Sequence, residues 1–178
     1  MQQLVECVPN FSEGRDLPKI NNITASIEAI PGITLLDVDP GADTNRTVVT
    51  FVGSIEAVED AAFKAIKLAG EVLDMRSHKG AHARMGATDV CPFIPVSGVS
   101  MDDCISLSKR VGKRVGKDLS IPVYLYENSS HTPKRKNLAT IRSGEYEGLE
   151  DKLADPAWLP DFGPTELHEK AGATVIGA

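Results

Sequence analysis

The sequence has few cysteines, no long apolar run and no excess of basic residues. Its three cysteines, Cys7, Cys91 and Cys104, form no CxxC pair, which is typical of reduced structural thiols rather than of a disulfide scaffold or a zinc site. No segment approaches the roughly 18 apolar residues of a membrane span. The net charge of −6 disfavours non-specific nucleic-acid binding. The start MQQLVECVPNF lacks the features of a signal peptide, so we expect a cytoplasmic protein without membrane or nucleic-acid partners.

The chain does have enough apolar residues, 42%, for a sizeable core, and its 178 residues suit a single domain. In its first half, β-branched runs alternate with segments whose apolar residues recur every three or four positions, which predicts strands and amphipathic helices. The predicted strands cover 2–9, 33–39, 47–53 and 88–96, and the predicted helices cover 17–30 and 55–69. This β-α-β-β-α-β order predicts an α+β fold, a ferredoxin-like sandwich with both helices on one side of an antiparallel sheet.

The second half predicts an extension of this unit. An additional helix opens at Asp102 and Asp103, and a fifth strand covers 121–126. The polar stretch 127–164 is weakly periodic, which favours short helices and loops. The chain finishes with the small apolar strand ATVIGA, and a strand needs partners along its edges. We therefore expect the natural protein to continue beyond Ala178, or the chain to be a defined fragment.

The densest group of polar side chains opens the stretch His78–Pro95, which reads HKGAHARMGATDVCPFIP. Its glycines disfavour a helix, and three interpretations stay open. His78 and His82, with Asp89, would suit a metal-dependent hydrolase, although the neighbouring lysine and Arg84 would repel a cation. Either histidine equally suits a structural, hydrogen-bonded role. The third interpretation is acid–base catalysis, since imidazole titrates near neutral pH, with an arginine fork to hold a carboxylate.

Three further polar stretches each allow a structural and a functional interpretation. The segment 37–46, DVDPGADTNR, closes one predicted strand and opens the next, and taken alone it is an ordinary Asx-rich turn. Asn10-Phe11-Ser12 is likewise a turn that leads into a helix. The segment 163–172 has glycine at both ends and is either a linker or a loop that wraps a ligand. Strands two and four lie on opposite edges of a ferredoxin-like sheet, so the pattern does not establish that the hairpin meets the histidine loop.

Several long strings in this order resemble a known family. They are VECVPNFSEGR at 5–15, LLDVDPGADTNRTVVTFVG at 35–53, the stretch through VCPFIPVSGVSMDDC that ends at Cys104, and PVYLYE, IRSGEYEGL and DFGP further downstream. Together they make the chain similar to the N-terminal subdomain of the formiminotransferase family, which includes the formiminotransferase half of formiminotransferase-cyclodeaminases. The resemblance covers essentially all 178 residues.

The resemblance implies two ferredoxin-like subdomains whose sheets face each other, with folate bound between them. It implies transfer of the formimino group of N-formiminoglutamate to N5 of tetrahydrofolate, a step of histidine breakdown, with tetrahydrofolate as co-substrate and no metal. The family's catalytic histidine corresponds to His82, and we expect Asp39 to orient that imidazole or to hold the cationic formimino group. The expected substrate-binding residues are Asn10, Asn45, Arg46 and Arg84. The folate-binding segment corresponds to Gly163, Pro164, Thr165, Glu166, Leu167, His168, Glu169, Lys170, Ala171 and Gly172.

This chain departs from the family's pattern in two ways. The family commonly has proline where this chain has Ala83, which makes the loop after His82 less rigid. The chain also stops where the second subdomain would begin, so half of the expected folate cleft is missing. We therefore expect a C-terminal formiminotransferase subdomain as partner, in cis or as a separate chain, and a homodimer is a second candidate assembly. The rival hypothesis is a non-catalytic folate-binding or assembly module that retains this fold. The residues do not distinguish glutamate from glycine as carrier of the formimino group.

Overall fold

The computed structural model describes residues 1–178, which form one seven-stranded sheet and five α-helices. The strands are β1 (Leu4–Cys7), β2 (Asn10–Phe11), β3 (Thr34–Gly41), β4 (Arg46–Gly53), β5 (Thr88–Ser97), β6 (Val123–Tyr126) and β7 (Thr174–Gly177). The helices are α1 (Leu17–Glu28), α2 (Ile55–Val72), α3 (Met101–Leu119), α4 (Leu138–Arg142) and α5 (Leu149–Ala154). Of these helices, none is both long and apolar enough to cross a bilayer.

The sheet confirms the predicted ferredoxin-like order. β4 pairs with β3 on one side and with β1 and β2 on the other, and β1 and β2 both pair with β5, all antiparallel. β1 and β2 are therefore two pieces of one central strand, interrupted at Val8 and Pro9. The backbone bonds continue across the interruption, since Val49 N–H donates to the Pro9 carbonyl oxygen at 3.0 Å. The prediction of a turn at Asn10-Phe11 is wrong, because both residues pair with β4 and β5.

The C-terminal strand is not an edge strand. β7 lies between β5 and β6 and runs parallel to both, so both of its edges are hydrogen-bonded. The partners that the terminal strand ATVIGA needs are therefore present within the chain, so this strand is not in itself a reason to expect further residues. The additional helix α3 connects β5 to β6. These two strands do not pair with each other, because β7, the last strand in the chain, lies between them.

The long helices begin at side chains that cap their first turns. Asp16 accepts a hydrogen bond from the Lys19 amide at the start of α1. Ser100 and Asp103 form a reciprocal capping box at the start of α3, where acidic residues also favour the helix dipole. Asp103 is one of the two aspartates from which the sequence predicts this helix, which begins two residues earlier than Asp103, at Met101.

The two faces of the sheet differ in how they are covered. Val175 and Ile176 are consecutive in β7, so they point to opposite faces, and they belong to different apolar clusters. The larger cluster packs under α1, α2 and α3, and the smaller one packs under α4 and α5. The second face is otherwise open along β5, where Ile94 and Val96 are 39% and 55% exposed. The open face is the one on which polar residues of the central strands collect.

Candidate active site

A cavity of about 310 Å³ lies where the β3–β4 hairpin meets the loop that precedes β5. It is lined by Asn10, Asp39, Gly41, Thr44, Arg46, Val48 and His82. Three of these positions are cross-strand neighbours, because both Asn10 and Asp39 pair with Val48. The structure thus brings together four residues that the sequence analysis singled out separately, and it shows that the hairpin and the histidine loop do meet.

Close backbone packing holds the histidine loop against the hairpin. Ala81 N–H donates to the Asp43 carbonyl oxygen at 3.1 Å. A side chain at Gly80 would meet the backbone oxygen of Thr44, with a Cβ only 2.3 Å away, so this approach requires glycine. Asn45 has a positive φ of 51°, and its amide joins the two segments by accepting from Gly14 N–H and donating to the Lys79 carbonyl oxygen. Asn45 therefore holds the surrounding backbone segments together and does not line the cavity.

Arg46 is the central charge of the cavity. Its Nε donates to Asn10 Oδ1 at 2.9 Å, and its Nη1 lies 2.7 Å from His82 Nδ1 and 3.4 Å from Asp89 Oδ2. Burial lowers the pKa of Arg46, and the carboxylate of Asp89 opposes that shift. Nη2 of Arg46 makes no hydrogen bond within the chain, so part of the guanidinium is available to a ligand.

His82 stands between one donor and one acceptor. Its Nδ1 lies 2.7 Å from Arg46 Nη1 and also 2.7 Å from the Ala83 carbonyl oxygen. A ring nitrogen either accepts or donates, so only one of these bonds exists at a time. When Nδ1 carries the proton it donates to Ala83, and Nε2, which lies 3.4 Å from the same Arg46 Nη1, is the base. When Nδ1 accepts from Arg46, Nε2 carries the proton and is a donor. The position suits a group that both takes and returns a proton.

Asp39 adds a carboxylate to the lining of this cavity. The residue is exposed and its side chain has no hydrogen bond to any other residue. A carboxylate without an internal partner is available to a cationic group of a ligand. Asp39 does not contact His82 in this structure, so of its two expected roles the geometry favours holding a cation over orienting the imidazole.

Arg84 and His78 lie on the same loop but outside the cavity. The guanidinium of Arg84 is bound by Glu147 through two contacts of 2.8 Å and by Glu145 at 3.2 Å. Arg84 Nε also donates to His78 Nδ1 at 3.0 Å, and His78 Nε2 in turn donates to the Asn45 carbonyl oxygen at 2.9 Å. The structure does not bring Arg84 to the lining of the cavity, and burial lowers the pKa of His78. Because both ring nitrogens of His78 are occupied, the pair of histidines is not arranged as metal ligands.

The segment Gly163–Gly172 runs beside the ends of α2 and α3 rather than into the cavity. Lys170 Nζ donates to the Glu71 carbonyl oxygen, and Tyr146 Oη donates to the Glu169 carbonyl oxygen at 2.6 Å. His168 lines a separate cavity of about 280 Å³ between those helix ends. Only the last residues of the segment approach the histidine loop, through a bridge between Gly172 and Gly86.

Two charged residues near the cavity are not among the catalytic or substrate-binding residues that the sequence analysis expects. Asp89 is 1% exposed and Arg142, at the end of α4, is 9% exposed. Arg142 Nη2 lies 3.1 Å from Asp89 Oδ2, behind Arg46. Asp89 entered the sequence analysis only as a metal ligand. The available signal is that Asp89 is the one charged residue in β5, which is otherwise mostly apolar.

Comparison with known proteins decides the family. The sequence model of the family described as "Formiminotransferase domain, N-terminal subdomain" matches residues 4–178. The chain belongs to the formiminotransferase family. It is similar to formimidoyltransferase-cyclodeaminase of Rattus norvegicus, at 54% identity over 178 residues, which is 100% of this chain and 33% of the relative.

Shorter relatives in this family carry one activity in their names. The chain is 46% identical to glutamate formimidoyltransferase of Streptococcus pyogenes over 178 residues, which is 100% of this chain and 60% of that protein. It is 47% identical to glutamate formimidoyltransferase of Thermoplasma acidophilum over 177 residues, which is 98% of this chain and 58% of that protein. The chain thus spans between one third and three fifths of the length of these relatives.

Proposed function

We propose that this chain carries the N-terminal half of the site of a folate-dependent formiminotransferase in histidine breakdown. The enzyme would move the formimino group of N-formiminoglutamate to N5 of tetrahydrofolate. The observation that carries the proposal is the grouping of Asp39, Arg46 and His82 around one cavity, in a chain of this family. Two relatives are named for glutamate, which favours glutamate over glycine as the carrier of the group.

The reaction moves one proton from one nitrogen to another. N5 attacks the formimino carbon and gives up its proton, and the bond from that carbon to the glutamate nitrogen breaks as this nitrogen accepts a proton. His82 suits both transfers, because a positioned imidazole takes and returns protons near neutral pH and contributes about 10²–10⁴-fold to the rate. Its Nδ1 has an acceptor for one proton position and a donor for the other.

The charges of the cavity complement those of the proposed substrate. A protonated formimino group is cationic, and the unpaired carboxylate of Asp39 would hold it. The substrate also carries carboxylates, and the free Nη2 of Arg46 would meet one of them. Asn10 would act through Arg46, whose Nε it holds. Arg84 would have to leave Glu147 to bind substrate, so the geometry favours Arg46 for this role.

The second half of the site would come from a C-terminal subdomain, since the relatives are longer than this chain. The open face of the sheet, with exposed Ile94 and Val96, is a surface that such a subdomain would cover. A second copy of the chain on the same face is the alternative assembly. The folate role of Gly163–Gly172 stays a prediction that rests on the family resemblance.

A transfer assay tests the proposal. The chain is assayed alone, and joined to the C-terminal subdomain of the Streptococcus pyogenes relative, with N-formiminoglutamate and tetrahydrofolate, and the modified folate is quantified. We expect turnover in the joined protein and much less in the chain alone. Folate binding by calorimetry without turnover in either sample would favour the non-catalytic binding module. Neither binding nor turnover in the joined protein would contradict both functions.

A further inference from the structure

Two buried charges that the proposed reaction does not use lie behind Arg46. Asp89 takes a hydrogen bond from Met85 N–H at 2.7 Å, and its other oxygen faces Arg142 Nη2 at 3.1 Å. Nε and Nη2 of Arg142 are buried, yet neither makes a well-directed hydrogen bond. A buried ion pair that is incompletely hydrogen-bonded is a poor source of stability. Stability therefore does not account well for this pair, and the residue that it holds in place, Arg46, gives a better account.

Asp89 Oδ2 is shared between two guanidinium groups. Arg142 Nη2 approaches it to 3.1 Å, whereas Arg46 Nη1 stays at 3.4 Å. The same Arg46 Nη1 lies 2.7 Å from His82 Nδ1. Arg46 Nη1 carries two N–H groups, so one donates to Asp89 Oδ2 while the other faces His82, and Arg142 shares the negative charge that would otherwise act on Arg46 alone. Without Arg142, Arg46 is the remaining arginine in contact with Asp89, so the carboxylate would draw Arg46 towards it.

We propose that Asp89 and Arg142 are positioning residues, which hold Arg46 where it competes with the Ala83 carbonyl oxygen for His82 Nδ1. This inference rests on the proposed function, since it assigns the pair a purpose in the proton transfers of His82. Through Arg46, the pair sets the ratio between the two tautomers of the His82 imidazole, with the proton on Nδ1 or on Nε2. Neither residue touches the cavity, so both act through Arg46.

Loss of Arg142 has a defined direction. In Arg142→Met the carboxylate pulls Arg46 away from His82, and Nδ1 then donates to Ala83 instead of accepting. We expect the population with the proton on Nδ1 to rise by about tenfold relative to the population with the proton on Nε2. Arg142→Lys keeps the positive charge but loses the fork, so it should restore part of the balance. Asp89→Asn removes the attraction on Arg46 and should shift the balance the other way.

The chain contains a matched control for a merely structural pair. Asp161, whose side chain is 8% exposed, accepts a backbone hydrogen bond from Leu125 at 2.7 Å and faces Arg135 Nη1 at 3.3 Å. It has the same kind of partners as Asp89 but does not line the His82 cavity. Asp161→Asn should therefore disturb stability without changing the signals of His82.

Nitrogen-15 NMR of histidine-labelled chain tests the proposal directly, since the shifts of Nδ1 and Nε2 report which nitrogen carries the proton. The signals of His82 are identified by their absence in His82→Ala. The proposal expects shifts in Arg142→Met and Asp89→Asn, a smaller shift in Arg142→Lys, and none in Asp161→Asn. If Arg142→Met fails to fold, Arg142→Lys and Asp89→Asn decide by the same signals.

Unchanged His82 signals in every folded variant of the pair would overturn the proposal, and so would an equal shift in Asp161→Asn. In the joined protein, Arg142→Met should lower kcat by about tenfold and change KM by less than about threefold. The NMR arm needs no substrate. A tautomer shift in the absence of any transfer activity would therefore refute the proposed function while leaving the positioning of His82 intact.

Discussion

The loop before β5 carries two histidines, His78 and His82, and each pairs with an arginine. Only in one of these pairs are the hydrogen-bonding groups fully occupied by other residues. Arg84 donates to His78 Nδ1 at 3.0 Å, and Arg46 Nη1 lies 2.7 Å from His82 Nδ1. The first pair is closed on every side, because two glutamates take the guanidinium and a backbone carbonyl takes the other ring nitrogen. The second pair lies beside a cavity and leaves Nη2 of the guanidinium without a hydrogen bond, and the contact of His82 Nε2 is with Arg46 Nη1 at 3.4 Å.

The comparison shows that residue type and loop position do not distinguish a structural histidine from a functional one. What distinguishes them is the number of hydrogen-bonding sites left free after folding. A satisfied polar group stabilises the fold and has nothing to offer a ligand, whereas an unsatisfied one next to a cavity does. Variants of the two pairs should therefore differ in activity, in stability and in the pH dependence of stability.

The largest expected effect is on activity. Replacing His82 by Ala in the joined protein should lower kcat/KM by about 10²–10⁴-fold, because the proton acceptor is lost. His78→Gln should lower it by less than about tenfold. Steady-state kinetics, with circular dichroism as a control for folding, measure both. Equal losses in the two variants would break the distinction between the pairs.

The next effect is on stability, and it falls on the other pair. Arg84→Met removes a guanidinium that is 7% exposed and leaves His78 Nδ1 without its donor, which should cost about 2–4 kcal/mol. Arg46→Met removes fewer internal bonds and should cost about 1 kcal/mol. Urea unfolding midpoints measure both. A larger loss in Arg46→Met would mean that the cavity pair, too, is mainly structural.

The smallest effect is the pH dependence of stability. Because burial lowers the pKa of His78, the folded chain binds fewer protons there than the unfolded chain does below about pH 6.5. Its contribution is complete above that pH and is lost as the pH falls, by at most about 1.4 kcal/mol per pH unit. Urea unfolding at pH 7.5, 6.5 and 5.5 should show a steeper decline in the unmodified chain than in His78→Gln. Equal slopes would contradict the assignment of His78 as a buried neutral base.

The fold could be predicted largely because its signals are local. Helix periodicity and β-branched runs placed α1, α2 and the strands within a few residues, and the β-α-β-β-α-β order then left one common arrangement. Two features that the pattern did not predict share a cause. Asn10-Phe11 is a strand and β7 is an interior strand because of partners far away in the chain, β4 and β5 for one and β5 and β6 for the other.

The site could be predicted in part. Asn10, Asp39, Arg46 and His82 were singled out by residue type and by resemblance, and the structure gathers them around one cavity. Their catalytic and binding roles stay predictions. Arg84 has the same chemistry as Arg46, and nothing in the sequence says that Glu147, 63 positions away, would occupy it.

By itself the sequence determined most of the helices and strands of this protein, the ferredoxin-like order of its first half, its family and a short set of polar candidates. These follow from the periodicity of apolar residues, from caps and turns, and from long strings of residue identities. Only the tertiary structure decided which candidates face a cavity and which are satisfied. It also revealed Asp89 and Arg142 behind Arg46. Hydrogen-bond satisfaction depends on groups distant in the chain that folding brings within about 3 Å, and no local pattern records that distance.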